Sequence, residues 1–166
     1  MFSLKKMMWI SAQVVIDAPP DKVFSYLTDF DRHHEWLGIG VPPEIEKTSE
    51  GPVGVGTTFK SMEVAVWPWR YKADIVVTEY APNERLAFDW LAPGGACQSH
   101  SIHLEPEPVS GGTRVTVERE LVRSKGWGRL LMPLFLPVMP VVRHISRRKI
   151  QGMGSRLKEY YQRPAL

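Results

Sequence analysis

A histidine and an arginine on two neighbouring predicted strands are the residues of this chain best suited to chemistry. In the alternating run 97–105, His100 shares a face with Gln98 and with apolar residues, so we expect it to point inward. Arg119 takes the same kind of position among the valines of 113–121. An imidazole of near-neutral pKa can serve as general acid or base, or bind a ligand oxygen. A buried guanidinium needs an acidic partner or an anionic ligand.

Each of these two residues also has a structural interpretation. A histidine on an apolar face is more often a satisfied structural group than a catalyst, and this interpretation is favoured for His100. Glu63 shares one strand face with Phe59 and Ser61, which makes it a candidate acid for Arg119. An ion pair of Arg119 with Glu63 near the sheet edge is favoured over a ligand site at the arginine.

Aromatic residues supply candidate walls for a cavity. Phe88 and Trp90 share a strand face by period two, and Tyr71 lies in a neighbouring strand-like run. Trp36 and Phe59 are predicted to be core residues instead. The predicted ligand-binding residues are Glu63, Tyr71, Phe88, Trp90, Gln98, His100 and Arg119.

Neither a metal site nor a cofactor is predicted. The run His33-His34-Glu35 invites a metal interpretation, but adjacent helical residues diverge by about 100° and do not readily ligate one ion. The glycines of 51–56 lack the Lys-Ser/Thr pair of a phosphate-binding loop and precede a strand.

The elements that position these residues begin with a strand and two short helices. Residues 9–17 alternate as a half-buried strand does, and Asp17-Ala18-Pro19-Pro20 predicts a helix start. An apolar stripe of Val23, Phe24 and Leu27 follows, continued through a second short helix by residues up to Trp36. This order, ahead of many strands, predicts a sheet that curls around something.

Six further strands and a helical segment complete the predicted α+β fold. The strands are expected at about 44–49, 57–67, 70–80, 85–92, 97–107 and 112–123. Their turn-sized separators favour antiparallel hairpins. A broken helical piece is predicted at 126–136 and one main helix at 139–162. At 1.5 Å per residue that helix would reach roughly 35 Å, enough to cross the sheet.

Length and composition predict one domain over residues 1–166 and give no sign of a secreted or membrane-spanning chain. The net charge is +3, but residues 143–166 carry seven Lys/Arg against one acid. This basic cluster is favoured as a solvated helix face, and contact of 126–149 with anionic lipid is the alternative; nucleic acid is not expected. A single cysteine excludes an internal disulfide, and no signal or membrane-spanning segment is predicted. A cytoplasmic location is therefore expected.

Several loose motifs spread along the chain resemble one known superfamily. They lie in Ile16 to Phe24, at Trp36, in Val53 to Phe59, in Pro82 to Leu86 and in Gly111 to Val115. The chain resembles the START-like, or SRPBCC, superfamily, and within it the polyketide cyclase/dehydrase-like branch. The resemblance implies a helix-grip fold: a curved antiparallel sheet of about seven strands around a long C-terminal helix. It also implies a deep apolar cavity between sheet and helix.

Three functions follow as hypotheses. The first is binding of a hydrophobic or aromatic small molecule, such as a lipid, polyketide or quinone-like compound, in that cavity. The second is a polyketide cyclase or dehydratase that uses His100 and Arg119. The third is a membrane-peripheral lipid or quinone carrier. The ligand and the oligomeric state do not follow from the sequence, since a fold hosts many activities.

Overall fold

The architecture was analysed in a computed structural model that describes residues 9–36, 44–66, 69–123, 137 and 139–162. Seven strands, two short helices after the first strand and two C-terminal helices make up these parts. In chain order they are β1 (Trp9–Ile16), α1 (Pro20–Leu27), a 3-10 turn (Phe30–Arg32), α2 (His33–Trp36), β2 (Glu44–Lys47), β3 (Thr58–Val66), β4 (Trp69–Ala81), β5 (Arg85–Ala92), β6 (Ala96–Pro106), β7 (Thr113–Arg123), α3 (Met139–Gln151) and α4 (Met153–Gln162).

All seven strands form one antiparallel sheet in the order β1-β7-β6-β5-β4-β3-β2. Strands β2 to β7 follow each other through short connections, as their separators predict. Strand β1 pairs with β7, so the first and last strands of the chain are neighbours at one edge of the sheet, and β2 lies at the other edge. The turns use residues that tolerate positive φ, with Asn83 at 66° and Gly111 at 70°. The α+β class and the strand number are confirmed.

Irregularities in three strand pairs help the sheet to curl. The extra residue lies between Val64 and Val66 in β3, between Val77 and Glu79 in β4, and between Leu121 and Arg123 in β7. A bulge bends its strand and increases the local twist. The inner face of the sheet is therefore concave, and the candidate residues lie on that face.

The core fills one end of the concave face. On α1, the predicted stripe is buried together with Tyr26, because residues three and four apart lie on the same face of a helix. Trp36 and Phe59 are buried at 0% and 4% exposure, as predicted for core residues. The buried core also includes sheet residues from every strand from β3 to β7.

The predicted single helix 139–162 is two helices that meet at Gly152. Glycine has the lowest helix propensity after proline, and it leaves room for a side chain beside the backbone. The Arg156 guanidinium uses this room to donate a hydrogen bond to the carbonyl of Lys149, and a Cβ at 152 would lie 3.1 Å from its Nη2. The predicted helical piece at 126–136 lies outside the described residues.

A polar cluster ties α2 to α1 and α4. Tyr26 on α1 donates a hydrogen bond to Glu35 (2.8 Å), which also forms an ion pair with Arg32 (2.6 Å). The Arg32 guanidinium lies 4.7 Å from the ring centroid of Tyr160 on α4. Burial and the bond to Glu35 raise the pKa of Tyr26. These contacts, with a hydrogen bond from Lys149 to a carbonyl of α2, hold the short helix in one position.

Candidate functional site

The middle of the concave face holds an aromatic wall that contains His100. His100 on β6 and Phe88 on β5 are directly opposite each other. Their rings stack with centroids 4.8 Å apart and 8° between the planes. Trp90 lies 5.9 Å from the His100 ring at 45°. The exposed fraction is 2% for His100 and 0% for Phe88, so this imidazole is removed from bulk water as its strand parity predicts.

The nitrogens of the buried His100 ring are both unpaired. Neither Nδ1 nor Nε2 has a hydrogen-bond partner among the residues that the structure describes. Burial lowers the pKa of His100 well below its usual value, and the neighbouring Arg119 charge lowers it further. The neutral ring offers one donor and one acceptor. A buried polar atom without a partner costs about 1–3 kcal/mol, so these atoms favour a bound group that pairs with them.

Arg119 is the cationic group of the site, and Gln98 holds it in place. Arg119 lies opposite His100 on β7. Its Nε and Nη2 both donate to Oε1 of Gln98, the former at 2.9 Å. Burial lowers the pKa of Arg119, while the nearby Glu63 and Tyr71 act in the opposite direction. Two bonds to one amide oxygen fix the plane of the guanidinium.

The favoured ion pair between Arg119 and Glu63 is not found. Within the described chain, no Arg119 nitrogen lies within salt-bridge distance of that carboxylate. Glu63 instead accepts a hydrogen bond from the Ser61 hydroxyl. The neutral amide of Gln98 is closer to the arginine because β6 is the direct neighbour of β7, whereas β3 lies four positions along the sheet.

Glu63 and Tyr71 face Arg119 from the far side of the concavity. They are directly opposite each other on β3 and β4. In a flat sheet, β3 and β7 would be about 19 Å apart, since neighbouring strands are separated by about 4.8 Å. The Arg119 charge nevertheless lowers the pKa of Glu63, although burial dominates and raises it overall. Burial and Glu63 raise the pKa of Tyr71. The curl of the sheet therefore brings these groups toward each other.

The seven predicted site residues thus share the concave face in three groups. Phe88, Trp90 and His100 form an aromatic wall, and Gln98 with Arg119 forms a fixed cationic group beside it. Glu63 and Tyr71 lie opposite. Chemically, the arrangement combines an apolar surface with a neutral imidazole and a positive charge. Its role in binding remains a prediction.

One further residue, His33, packs beside the aromatic wall and was not predicted from the sequence. Its ring is 1% exposed and stacks on Phe30 with centroids 4.1 Å apart. It also lies 4.8 Å from Trp36 and 5.1 Å from Phe88. The sequence signal was present, because His33 is three residues from both Phe30 and Trp36 and so lies on their apolar face. The run His33-His34-Glu35 instead suggests a metal motif, which His33 does not form.

The described residues contain no group of three His, Cys, Asp or Glu side chains that could hold a metal ion. The Nε2 of His33 bonds to the carbonyl of Leu27 at 2.9 Å, while Nδ1 of His34 bonds to that of Asp31 at 3.1 Å. The two rings are thus hydrogen-bonded to different backbone carbonyls and do not converge on one ion.

Two larger grooves on other surfaces lack this combination of groups. One of about 460 Å³ runs along the β2–β3 edge between charged residues such as Glu44, Lys60 and Asp74. Another, of about 230 Å³, lies between the β1 end and α4, beside Lys22 and Lys158. Neither is lined by aromatic rings, so the concave face is the stronger candidate for an apolar ligand.

The fold and this site define a class of protein: a helix-grip domain whose concave sheet faces its C-terminal helices. The family model described as "Polyketide cyclase / dehydrase and lipid transport" matches residues 7–162. The chain belongs to that family, which confirms the resemblance seen in its motifs. No curated protein matches the chain.

Solved structures of low sequence identity share this fold. A Thermus thermophilus protein, TTHA0849, is 22% identical with a TM-score of 0.61, and the match covers 92% of this chain and 98% of that one. A Staphylococcus aureus protein of unknown function, SA2116, is 12% identical with a TM-score of 0.64, over 93% and 96%. The Nitrosomonas europaea protein NE0264 is 16% identical with a TM-score of 0.58, over 95% and 98%. At these identities the likeness concerns the fold alone.

Among the described residues, no helix is both long enough and apolar enough to cross a bilayer.

Proposed function

We propose that the protein binds a hydrophobic or aromatic small molecule, of the lipid, polyketide or quinone-like kind, between the concave sheet and the C-terminal helices. The observation that carries this proposal is the buried His100 ring, whose two nitrogens lack partners within the described chain. The family description, with its polyketide and lipid terms, supports the same ligand class. We further propose that this binding takes place in the cytoplasm.

The aromatic wall supplies the apolar part of the binding free energy. Trp90 beside His100 and Tyr71 across the concavity are only partly buried and offer ring surface, while the fully buried Phe88 packs against His100. Burial of apolar surface contributes roughly 25 cal/mol per Å² before the costs of ordering are subtracted. A ligand of two or three fused rings would therefore gain several kcal/mol from contact with this wall, on the order of what micromolar binding requires.

Polar groups at the edge of the wall would orient the ligand. The Arg119 guanidinium, fixed by Gln98, would attract a carbonyl or acidic oxygen. His100 would pair with an oxygen through whichever nitrogen suits it. Because both residues lie on neighbouring strands and face one side, one ligand could contact both.

Native mass spectrometry of protein purified from its own host tests this proposal. We expect a mass shift from a co-purified small molecule in the wild type. His100→Phe keeps a flat ring but loses both nitrogens, so we expect about tenfold weaker retention, as the loss of one or two hydrogen bonds predicts. His103→Gln, on the outer face of the same strand, is the matched control. Failure of the wild type to bind any apolar ligand, added or co-purified, would overturn the proposal.

A second candidate is an enzyme of the cyclase or dehydratase type. It is favoured by the same unpaired His100, because a histidine already bonded within the core could not act as a base. A neutral imidazole can accept a proton from the substrate, while Arg119 stabilises the enolate or carbonyl oxygen that develops. Incubation of the identified ligand with wild type and with His100→Phe tests it. If the wild type returns the ligand unchanged, the enzyme hypothesis is rejected and only the binding function remains.

A third candidate is a carrier that docks on membranes. It is favoured by exposed side chains on α3, where Val141 is 59% exposed and both Arg147 and Arg148 lie at the surface. Residues 126–136, which belong to the same predicted contact, lie outside the described chain.

A further inference from the structure

Two neighbouring ring nitrogens on the α2 side of the core have no partner that the described chain provides. They are Nδ1 of His33 and Nε1 of Trp36. The exposed fractions of the two side chains are 1% and 0%, so neither atom is compensated by bulk water. Buried nitrogens of this kind are normally paired, and each unpaired one needs an explanation.

The hydrogen bond of His33 settles which of its nitrogens carries the proton. Its Nε2 lies 2.9 Å from the Leu27 carbonyl oxygen, which can only accept, so Nε2 carries the hydrogen. Burial lowers the pKa of His33 to about 4. The ring is thus neutral at physiological pH, and its Nδ1 is an acceptor. The indole Nε1 of Trp36 is always a donor.

One chemical group satisfies both atoms at once. The two rings are in edge contact, with centroids 4.8 Å apart at 62°, so a single group bound beside them is the simplest partner for both nitrogens. A carboxylate or carbonyl oxygen can accept from the indole but has no proton for the imidazole. An ammonium group can donate to the imidazole but cannot accept from the indole. An O–H group does both.

We propose that His33 Nδ1 and Trp36 Nε1 form a hydroxyl-binding subsite, and that the ligand carries a neutral alcohol or phenol group that binds there. This inference rests on the proposed ligand-binding function and names the ligand class more closely. The subsite is distinct from the cationic group at Arg119, which suits an anionic or carbonyl oxygen. A ligand that fits both has a hydroxyl at one end and an acidic or carbonyl oxygen at the other.

Position and rigidity support a role in recognition. His33 lies 5.1 Å from Phe88, whose other neighbour is His100 at 4.8 Å. The subsite therefore adjoins the aromatic wall. The Arg32–Glu35 ion pair at 2.6 Å and a bond from Lys149 to the carbonyl of His34 at 3.2 Å hold α2 from outside. Groups held in place before binding lose little freedom when the ligand arrives.

A pair of matched probes tests the subsite: 2-naphthol and 2-methylnaphthalene, which differ by a hydroxyl in place of a methyl group. Calorimetry of the wild type should show about tenfold tighter binding of 2-naphthol, the net effect of one or two hydrogen bonds. Trp36→Phe keeps a ring but removes the indole donor, so the preference should fall several-fold. Trp9→Phe, which removes an indole exposed on the outer face, should keep it.

A spectroscopic readout on the wild type covers the case in which Trp36→Phe fails to fold. The indole proton of Trp36 and the ¹⁵N signal of His33 Nδ1 should shift with 2-naphthol and not with 2-methylnaphthalene. Equal affinities for the two probes, or signals that neither probe moves, would mean that a bound water alone pairs with these atoms. That result would overturn the hydroxyl subsite but not the proposed ligand binding. If neither probe binds at all, the subsite proposal fails, and the proposed function is then decided separately by the mass shift from a co-purified ligand.

Discussion

His33 and His100 are two buried histidines of the candidate site, and burial favours the neutral form of both rings. His33 stacks on Phe30 and His100 on Phe88, with centroids 4.1 and 4.8 Å apart. No carboxylate in the described chain is hydrogen-bonded to either ring. Burial therefore dominates and lowers the pKa of each. Neutral rings can pair with O–H groups, whereas a charged His100 would repel the nearby Arg119.

This neutrality predicts a loss of stability in mild acid. The unfolded chain protonates His33 near pH 6.5, while the folded state resists until about pH 4. The unfolded state binds more protons between these values, so the free energy of unfolding falls as the pH is lowered through that window. Urea unfolding should show wild type losing about 2 kcal/mol more than His33→Gln between pH 7 and 5.

The His33→Gln variant is suited to this comparison because its amide can still donate to the Leu27 carbonyl but does not titrate. His144→Gln, at an exposed position of α3, is the control and should follow the wild type. An identical pH dependence in wild type and His33→Gln would show that His33 is not held neutral by the fold.

At the scale of elements, the β6–β7 hairpin is fastened to the end of β1. A Cβ at Gly112 would lie 2.3 Å from the carbonyl oxygen of Ile16. The Thr113 hydroxyl donates to the carbonyl of Ala18 at 2.8 Å, just before α1. These contacts fix where the first helix leaves the sheet, and so where α1 and α2 cover the concave face.

Two glycine substitutions should therefore have opposite effects. Gly112→Ala places a methyl group against backbone that cannot move away, and we expect a loss of about 1–3 kcal/mol in the free energy of unfolding. Gly154→Ala, in α4 with open space around its Cβ, should gain about 0.5–1 kcal/mol from helix propensity. Urea unfolding of both variants checks the pair. A neutral Gly112→Ala would contradict the close approach to β1.

At the scale of the whole molecule, charge is distributed unevenly. Residues 143–166 hold seven basic residues and one acid within a net charge of +3. Arg147 and Arg148 are exposed on α3, about two turns beyond the exposed Val141. Such a face is either simply solvated or attracted to anionic lipid.

Vesicle flotation distinguishes these two roles. If the face docks on membranes, wild type should float with anionic vesicles, less so at high salt. Arg147→Gln with Arg148→Gln should weaken this binding roughly thirtyfold, at about 1 kcal/mol per charge. Lys60→Gln with Lys72→Gln removes the same charge from exposed positions on the sheet and is the control. Equal loss in both double variants, or equal binding to neutral vesicles, would reject the carrier hypothesis.

Local sequence patterns were sufficient to predict most of the architecture. Period-two alternation predicted β5 at 85–92, and the structure has the same bounds. It also placed His100 and Arg119 on the inner face. Turn residues separated the strands, and the Pro19-Pro20 pair marked the start of α1. Strand parity and turn chemistry depend on residues close in sequence, so they can be predicted from the sequence alone.

What only the tertiary structure decided depends on distances between remote residues. Parity made Glu63 a candidate partner of Arg119, but the strand order, which makes β6 the neighbour of β7, determined that Gln98 is the residue hydrogen-bonded to it. The break at Gly152 depends on where the Arg156 guanidinium lies. The unpaired nitrogens of His33, Trp36 and His100 are visible only when every neighbour is known. A hydrogen-bond partner is defined by position in space, and the local pattern of a chain does not specify such positions.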